Sequence, residues 1–407
     1  MLLRLALLAA FATHAFGYAV LTHEAIVDTV WLDYLEPMLK KRFPQATAEE
    51  LTAAHAYAYG GSIVQDSGFY PFGSHLFTDL VHYVRSGGFI TAMLRESRDL
   101  NEYAFALGAL SHYAADYEGH SIATNRVVPM LYPKLRARFG DTVTYEDSPS
   151  AHLKTEFGFD VVQVARGNYA TKNYRDFIGF EVSKPVMERA FKATYSIEME
   201  ELYLSVDLAL GTYRHTIGTL IPEATKIAWE LKKDELSKAL PSATRAKFVY
   251  NLRRSSYERE WGREYERPGF CARVMAWFIR VAPKVGPFRA LAFRTPTPQA
   301  ETLFIKSFNA AVDRYRELLR QSRNPDFTLP DLNFDTGQPI SAGKYRMADE
   351  TYARLLERLA KHDFTGVSPE LRAAILRFYE GSNVAAKDPK KAAQLKGYLQ
   401  RLRDLAN

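Results

Sequence analysis

The sequence predicts an all-α, multi-helix protein. Three observations carry this. Long stretches place apolar residues at intervals of three and four, almost nothing alternates with period two, and Gly and Pro fall between the stretches as helix stops. The 407 residues are enough for two or three ordinary domains. Hydrophobic residues at 47% supply a sizeable core and argue against disorder. No segment repeats at the 20–50-residue periods of solenoids.

Taken in order, residues 1–17 read as a secretory signal. Arg4 supplies the basic start, LALLAAFA the short apolar run, and Ala15-Phe16-Gly17 a small-x-small cleavage site. Cleavage there makes Tyr18 the new N-terminus. No other stretch is long and apolar enough to span a membrane. Helices are expected over 25–41, 47–60, 100–115, 148–164, 184–203, 208–231 and 300–323. Pro44, Gly60-Gly61, Gly87-Gly88, Gly140-Asp141 and Pro222 are the expected breaks or bends, and Ser148-Pro149 opens the fourth helix.

Near residue 236 the histidine-rich part gives way to an arginine-rich one. Residues 245–294 hold twelve Lys/Arg against four Glu. Within it, 271–293 mixes bulky apolar residues with isolated cations. It reads as core-packing helix segments with snorkelling arginines, in preference to a membrane-interface segment. A loop rich in Pro, Asp and Gly follows over 323–343, and an amphipathic helical part over 349–405 closes the chain with no evident site. The expected organisation is a signal over 1–17, a catalytic domain over 18–235 and a helical C-terminal extension over 236–407.

The net charge of +6 suggests anionic partners such as phosphates or an acidic membrane surface. It falls short of a dedicated nucleic-acid binder, so no stable nucleic-acid partner is expected. A single cysteine, Cys271, leaves no internal disulfide.

The chemistry lies in the histidines. Nine of the ten fall before residue 216. His112-x3-Asp116-x3-His120 and His152-x3-Glu156 place imidazoles and carboxylates one helical turn apart on a common face. That is how a helical protein builds a metal site. A lone helical His is more often a hydrogen-bonded core residue, and His152/Glu156 has the alternative of a plain surface pair. Three ligand types at i, i+4 and i+8 in a small-residue helix are harder to dismiss. His23 stands five residues after Tyr18, and a free α-amino group, which only cleavage creates, is a good zinc ligand once deprotonated. The alternative for His23 is a helix-entry residue beside the N-cap Thr22. Asp66 lies in a glycine-flanked loop where Asp also caps backbone amides. His82 is preferred over His75 as a further ligand. His55 and His362 read as surface or core residues, and His215 as one that approaches the site without joining it. Gly119 is expected to loosen the helix before His120. Clustered zinc ions suit phosphoester hydrolysis, because one ion polarises the phosphoryl oxygen while another lowers the pKa of a water.

The order Tyr18, His23, Asp66, His82, His112 with Asp116, His120, and His152 with Glu156 resembles the zinc-dependent phospholipase C and S1/P1 nuclease superfamily over residues 18–156. YAVLTHEAI and GALSHYAAD are most similar to the bacterial phospholipase C branch. The resemblance implies an all-α fold holding up to three zinc ions. Asp66, His82, His112 and Asp116 would hold one, and the Tyr18 amino group and carbonyl, His23 and the bridging Asp116 a second. His120, His152 and Glu156 would hold the third. It further implies a zinc-bound hydroxide as nucleophile, with Asp66 orienting or deprotonating it, and a phospholipid or membrane surface as substrate. Phe69, Tyr70 and Phe72 then stand either as a headgroup pocket or as packing for their loop. The chain departs from the pattern in Tyr rather than Trp at position 18, and in the three residues between Asp116 and His120 where the family usually has five. The competing expectations are a single-strand nuclease using the same metals, and a non-catalytic exported protein stapled by zinc.

Overall fold

The computed structural model describes residues 20–165, 179–217, 293–381 and 389–405. The signal segment 1–17, Tyr18, Pro222, Cys271, the boundary near 236 and nearly all of 245–294 lie outside the described residues, as does the later half of the helix expected over 208–231. Among the described residues there is no strand, only a bridge between Leu332 and Pro339. The all-α expectation holds.

The chain opens with α1 (Val20–Val30), which passes through a π-helical turn (Trp31–Leu35) into α2 (Glu36–Arg42). α3 (Ala48–Ile63) starts at a capping box. The Thr47 hydroxyl accepts the Glu50 N–H at 3.2 Å, and the Glu50 carboxylate accepts the Thr47 N–H at 2.8 Å. A 3-10 turn (Val64–Phe69) leads to α4 (His75–Tyr83), capped by Ser74, and then to α5 (Ser86–Glu96). α6 (Leu100–Glu118) is capped by Asp99 and ends in a second π-helical turn, Gly119–Thr124. α7 (Asn125–Leu131), α8 (Pro133–Phe139) and α9 (Pro149–Ala165) follow. After them come α10 (Lys184–Tyr195) and α11 (Val206–His215). The C-terminal part holds α12 (Pro298–Gln321), α13 (Arg346–Lys361), α14 (Pro369–Phe378) and α15 (Pro389–Asp404).

Two expected breaks are not breaks. Gly60 and Gly61 lie inside α3, and Gly87 and Gly88 in the first turn of α5. They are glycines because other backbone comes close. A Cβ on Gly61 would sit 1.9 Å from the Phe105 carbonyl oxygen, and one on Gly108 of α6 would sit 2.0 Å from that of Ala58. α3 and α6 therefore cross at backbone distance, and theirs is the most extensive helix pairing among the described residues. A Cβ on Gly87 would meet the Pro330 oxygen at 2.4 Å, so a loop from the C-terminal part lies against α5. The helix expected over 184–203 ends at Tyr195 because Ser196 takes a left-handed conformation, φ 57°. The amphipathic helical part expected over 349–405 is made of three helices among the described residues.

The C-terminal helices share the main core. Phe304 of α12 stacks on Phe159 of α9 with ring centres 4.6 Å apart, and the Tyr315 hydroxyl donates to the Leu107 carbonyl of α6 at 2.8 Å. α13 packs along α4. α6 is thus enclosed by α3, α5 and α12, and its buried middle carries the site.

Candidate metal centre

Five elements converge on α6. α1 contributes His23, the 3-10 turn Asp66, α4 His82, and α6 itself His112 and Asp116. The π turn contributes His120, and α9 contributes His152 and Glu156. Each of these eight side chains is at most 5% exposed. So many ionisable groups are buried together only where something compensates their lost hydration.

They form three groups whose nitrogen and oxygen atoms can hold a metal ion: Asp66, His82 and His112; His23, His112 and Asp116; and His120, His152 and Glu156. The first two adjoin. Asp116 presents Oδ2 to His112 Nε2 at 3.0 Å and to His82 Nε2 at 3.6 Å, and Oδ1 to His23 Nε2 at 3.6 Å. Asp66 Oδ1 stands 3.4 Å from His82 Nε2, and the rings of His23 and His112 stack at 4.5 Å. In the third group, Glu156 Oε1 is 3.2 Å from both His120 Nε2 and His152 Nδ1.

The i, i+4, i+8 run of His112, Asp116 and His120 therefore does not aim at one point. His112 and Asp116 serve one pair of groups and His120 another. The cause is the wider π turn that begins at Gly119, which carries His120 off the face shared by the other two. The loosening expected at Gly119 takes this form. Tyr18 lies outside the described residues. His75 is exposed on α4, on the flank of Phe69. His55 stacks on Trp31 and pairs with Asp28, while His215 and His362 are exposed, the latter beside Glu201.

The imidazoles are held from behind. His82 Nδ1 donates to the Thr78 carbonyl at 2.8 Å, His112 Nδ1 to that of Ser62 at 2.9 Å and His120 Nδ1 to that of Phe334 at 3.0 Å. A carbonyl only accepts, so in the neutral ring the lone pair is left on Nε2, facing the group. His152 is reversed: Nε2 donates to Asn125 Oδ1 at 3.0 Å, and Nδ1 faces Glu156.

Inward, hydrogen bonding stops. His112 Nε2, Asp116 Oδ1, His152 Nδ1 and both oxygens of Glu156 are buried and make no hydrogen bond. Such atoms cost about 1–3 kcal/mol each when left unsatisfied. Imidazole nitrogen and carboxylate oxygen with no thiolate, oriented by outer hydrogen bonds, is a donor set that suits zinc. The residues present fit the ion.

Electrostatics agree. Burial alone would raise Asp116, yet the His112 and His120 imidazoles hold its carboxyl well below the usual range. Burial likewise opposes ionisation of Glu156, and His152 and His120 overcome it. Burial also disfavours charge on His82 and His120. The Asp116 and Asp66 carboxylates lift His82 well above its ordinary value, and Asp116, Glu156 and Asp335 push His120 up to about 10. His23 goes the other way, lowered by burial and by His112. Negative charge is thus favoured on Asp116 and Glu156, each beside imidazoles of its own group.

Several contributors gave no signal in sequence spacing. Phe334 of the C-terminal part sets its ring edge-on to His82 at 5.2 Å and 6.0 Å from His112. Asn125 bonds His152, and Asp335 lies behind His120. Tyr145 packs edge-to-face with His152 at 5.7 Å and meets Phe69 at 6.0 Å. Of the aromatics read beside Asp66, Phe69 reaches this region through Tyr145. Tyr70 is buried against Tyr213, and Phe72 is half exposed at a positive φ of 61°.

Residues 22–205 match the family model described as zinc dependent phospholipase C. Every described member of the three groups falls within that span, and the resemblance read from the sequence holds there. No curated protein and no solved structure matches the chain.

Proposed function

We propose that the protein is an exported zinc-dependent phosphodiester hydrolase of phospholipase C type, cleaving glycerophospholipids to diacylglycerol and a phosphorylated headgroup. One observation carries the reading. Two buried ligand groups share His112, and Asp116 of one sets Oδ2 3.6 Å from His82 Nε2 of the other, inside the segment matched by the family model. A structural zinc site closes on itself with four protein ligands. Adjoining groups that share ligands instead suit a substrate phosphate held between cations.

Asp66, His82, His112 and Asp116 would hold one ion. His23, Asp116 and the Tyr18 amino group and carbonyl would hold the second, and His120, His152 and Glu156 the third. When bound, zinc supplies Lewis acidity toward the phosphoryl oxygens and lowers the pKa of water. The chain's own part is positioning and proton transfer. Asp66, at the edge of its group, takes the proton of the attacking water. The water oxygen joins phosphorus, the bond from phosphorus to the glycerol oxygen breaks, and the departing oxygen takes up the proton that Asp66 accepted, relayed through water. Phe69 and Tyr145 wall the approach and offer ring faces to a quaternary amine headgroup.

The test is phosphorus NMR of zinc-loaded protein lacking residues 1–17, offered phosphatidylcholine vesicles or single-stranded DNA, with and without chelator. Chelator-sensitive release of phosphocholine is the expected result. Nucleotide release would move the activity to the nuclease side, and silence on both would overturn the enzymatic reading.

A further inference from the structure

We propose that Asp335 and the loop that carries it are a positioning element for the third ligand group, so that this group is complete only when the C-terminal part is docked. The inference rests on the metal-binding reading above. It concerns residues beyond the span matched by the family model.

The loop reaches the site through a chain of fixed contacts. Ser86 at the start of α5 clasps Leu332, donating to its carbonyl at 2.7 Å and accepting its N–H at 2.9 Å. The Tyr113 hydroxyl of α6 donates to the Pro330 carbonyl at 3.1 Å. At the tip, Asn333 Oδ1 accepts the N–H groups of Asp335 at 2.9 Å and Thr336 at 3.2 Å, closing an Asx turn. Gly337 completes the turn at a φ of 68°.

Two consecutive residues of this turn then steer two of the three ligands. The Phe334 carbonyl accepts His120 Nδ1–H at 3.0 Å, and Asp335 Oδ1 lies 3.7 Å from the same nitrogen. The Asp335 carbonyl accepts the Asn125 amide at 2.6 Å, which turns Asn125 Oδ1 toward His152 Nε2–H. The carboxylate is itself fixed. Oδ2 accepts the Tyr83 hydroxyl at 2.7 Å and also that of Tyr345. Asp335 is not a ligand in this arrangement, because the His120 ring stands between it and Glu156. Its charge beside Nδ1–H holds the ring's tautomer and strengthens Nε2 as a donor, the effect an outer carboxylate has on a metal-bound imidazole.

The test is a competition titration of zinc against a chromophoric chelator on the full chain without residues 1–17, resolving the binding steps. Glu156→Gln identifies the step belonging to the third group. Asp335→Asn should weaken that same step about tenfold or more and leave the others unchanged. The Asp335→Asn, Glu156→Gln double variant should be no weaker than Glu156→Gln alone. Tyr345→Phe, which removes one hydroxyl from Asp335, should weaken that step by less, and it serves should Asp335→Asn fail to fold. A lowered Tm with every zinc step unchanged in both variants, or equal weakening of all steps, would overturn the proposal while leaving the metal reading intact. Failure of the wild-type protein to bind zinc, or of Glu156→Gln to lose any, would bring down the metal reading and the proposal with it.

Discussion

Asp160 ties the start of α1 to α9: its carboxylate accepts the main-chain N–H of Leu21 at 2.9 Å and the Thr22 hydroxyl at 2.6 Å. One turn along α9 from Glu156, it joins the helix bearing His152 and Glu156 to the one bearing His23. Burial pushes its pKa up to about 7, against the pull of these hydrogen bonds.

A pH dependence follows. Between about pH 4 and pH 7 the folded chain keeps the Asp160 proton, whereas the unfolded chain, with an ordinary carboxyl near 3.9, has lost it. The folded state binds more protons, so this group's contribution to stability falls as pH rises through that window and is level above it. Asp160→Asn mimics the neutral acid. Urea unfolding of both proteins with chelator present should show the variant gaining on wild type from pH 4 to 7, by on the order of a few kcal/mol. A difference independent of pH would refute this.

Asp116 joins His23 and His112 in one ligand group and sets Oδ2 3.6 Å from His82 Nε2 of the adjoining one, where the proposed function has it bridge, whereas Glu156 serves the third group alone. Asp116→Asn should therefore lower bound zinc by two equivalents and Glu156→Gln by one, as counted by elemental analysis after gel filtration. His112→Ala, which also touches both groups, should abolish phosphodiester hydrolysis together with zinc loss. Loss of one equivalent in Asp116→Asn would show that the carboxylate does not bridge.

How much of this was legible in the sequence depends on which forces leave a periodic trace. His112/Asp116 and His152/Glu156 are visible because one helix carries each pair, and the helical repeat fixes their shared face. The splitting of His120 from His112 is half visible, in Gly119, but the π turn is set by tertiary packing. Gly60-Gly61 reads as a break because glycine is a poor helix former. The actual reasons, the Glu181 carbonyl against Gly60 and the Phe105 carbonyl against Gly61, come from segments more than forty residues away and have no local signature. Asp335 is the extreme case. It lies in a loop whose composition marks only a turn, and its partner His120 is over two hundred residues distant, so no spacing rule connects them.

The N-terminus offers a chemical test. His23, His112 and Asp116 give the second group three protein donors, and an α-amino group at Tyr18 would add to them only after cleavage. Protein retaining residues 1–17 should hold one zinc equivalent fewer than protein beginning at Tyr18, with the other equivalents unaffected. Equal zinc content and activity in the two would show that the amino group is not a ligand.

Gly61→Ala tests whether the helix crossing positions the site. The added Cβ would fall 1.9 Å from the Phe105 carbonyl oxygen, which is backbone and has no side chain to swing aside. α3 must therefore move away from α6. Ser62, the next residue, supplies the carbonyl that holds His112 Nδ1 at 2.9 Å, and that bond would be strained or lost. Overpacking of this kind costs roughly 1–3 kcal/mol, and release of the His112 tautomer should weaken zinc at the two groups that share it. Thermal unfolding with and without zinc separates the two effects. The variant should lose Tm in chelator and lose more in zinc, because its ligand groups bind the ion less well. An equal loss under both conditions would mean that the crossing supports the fold without tuning the metal centre.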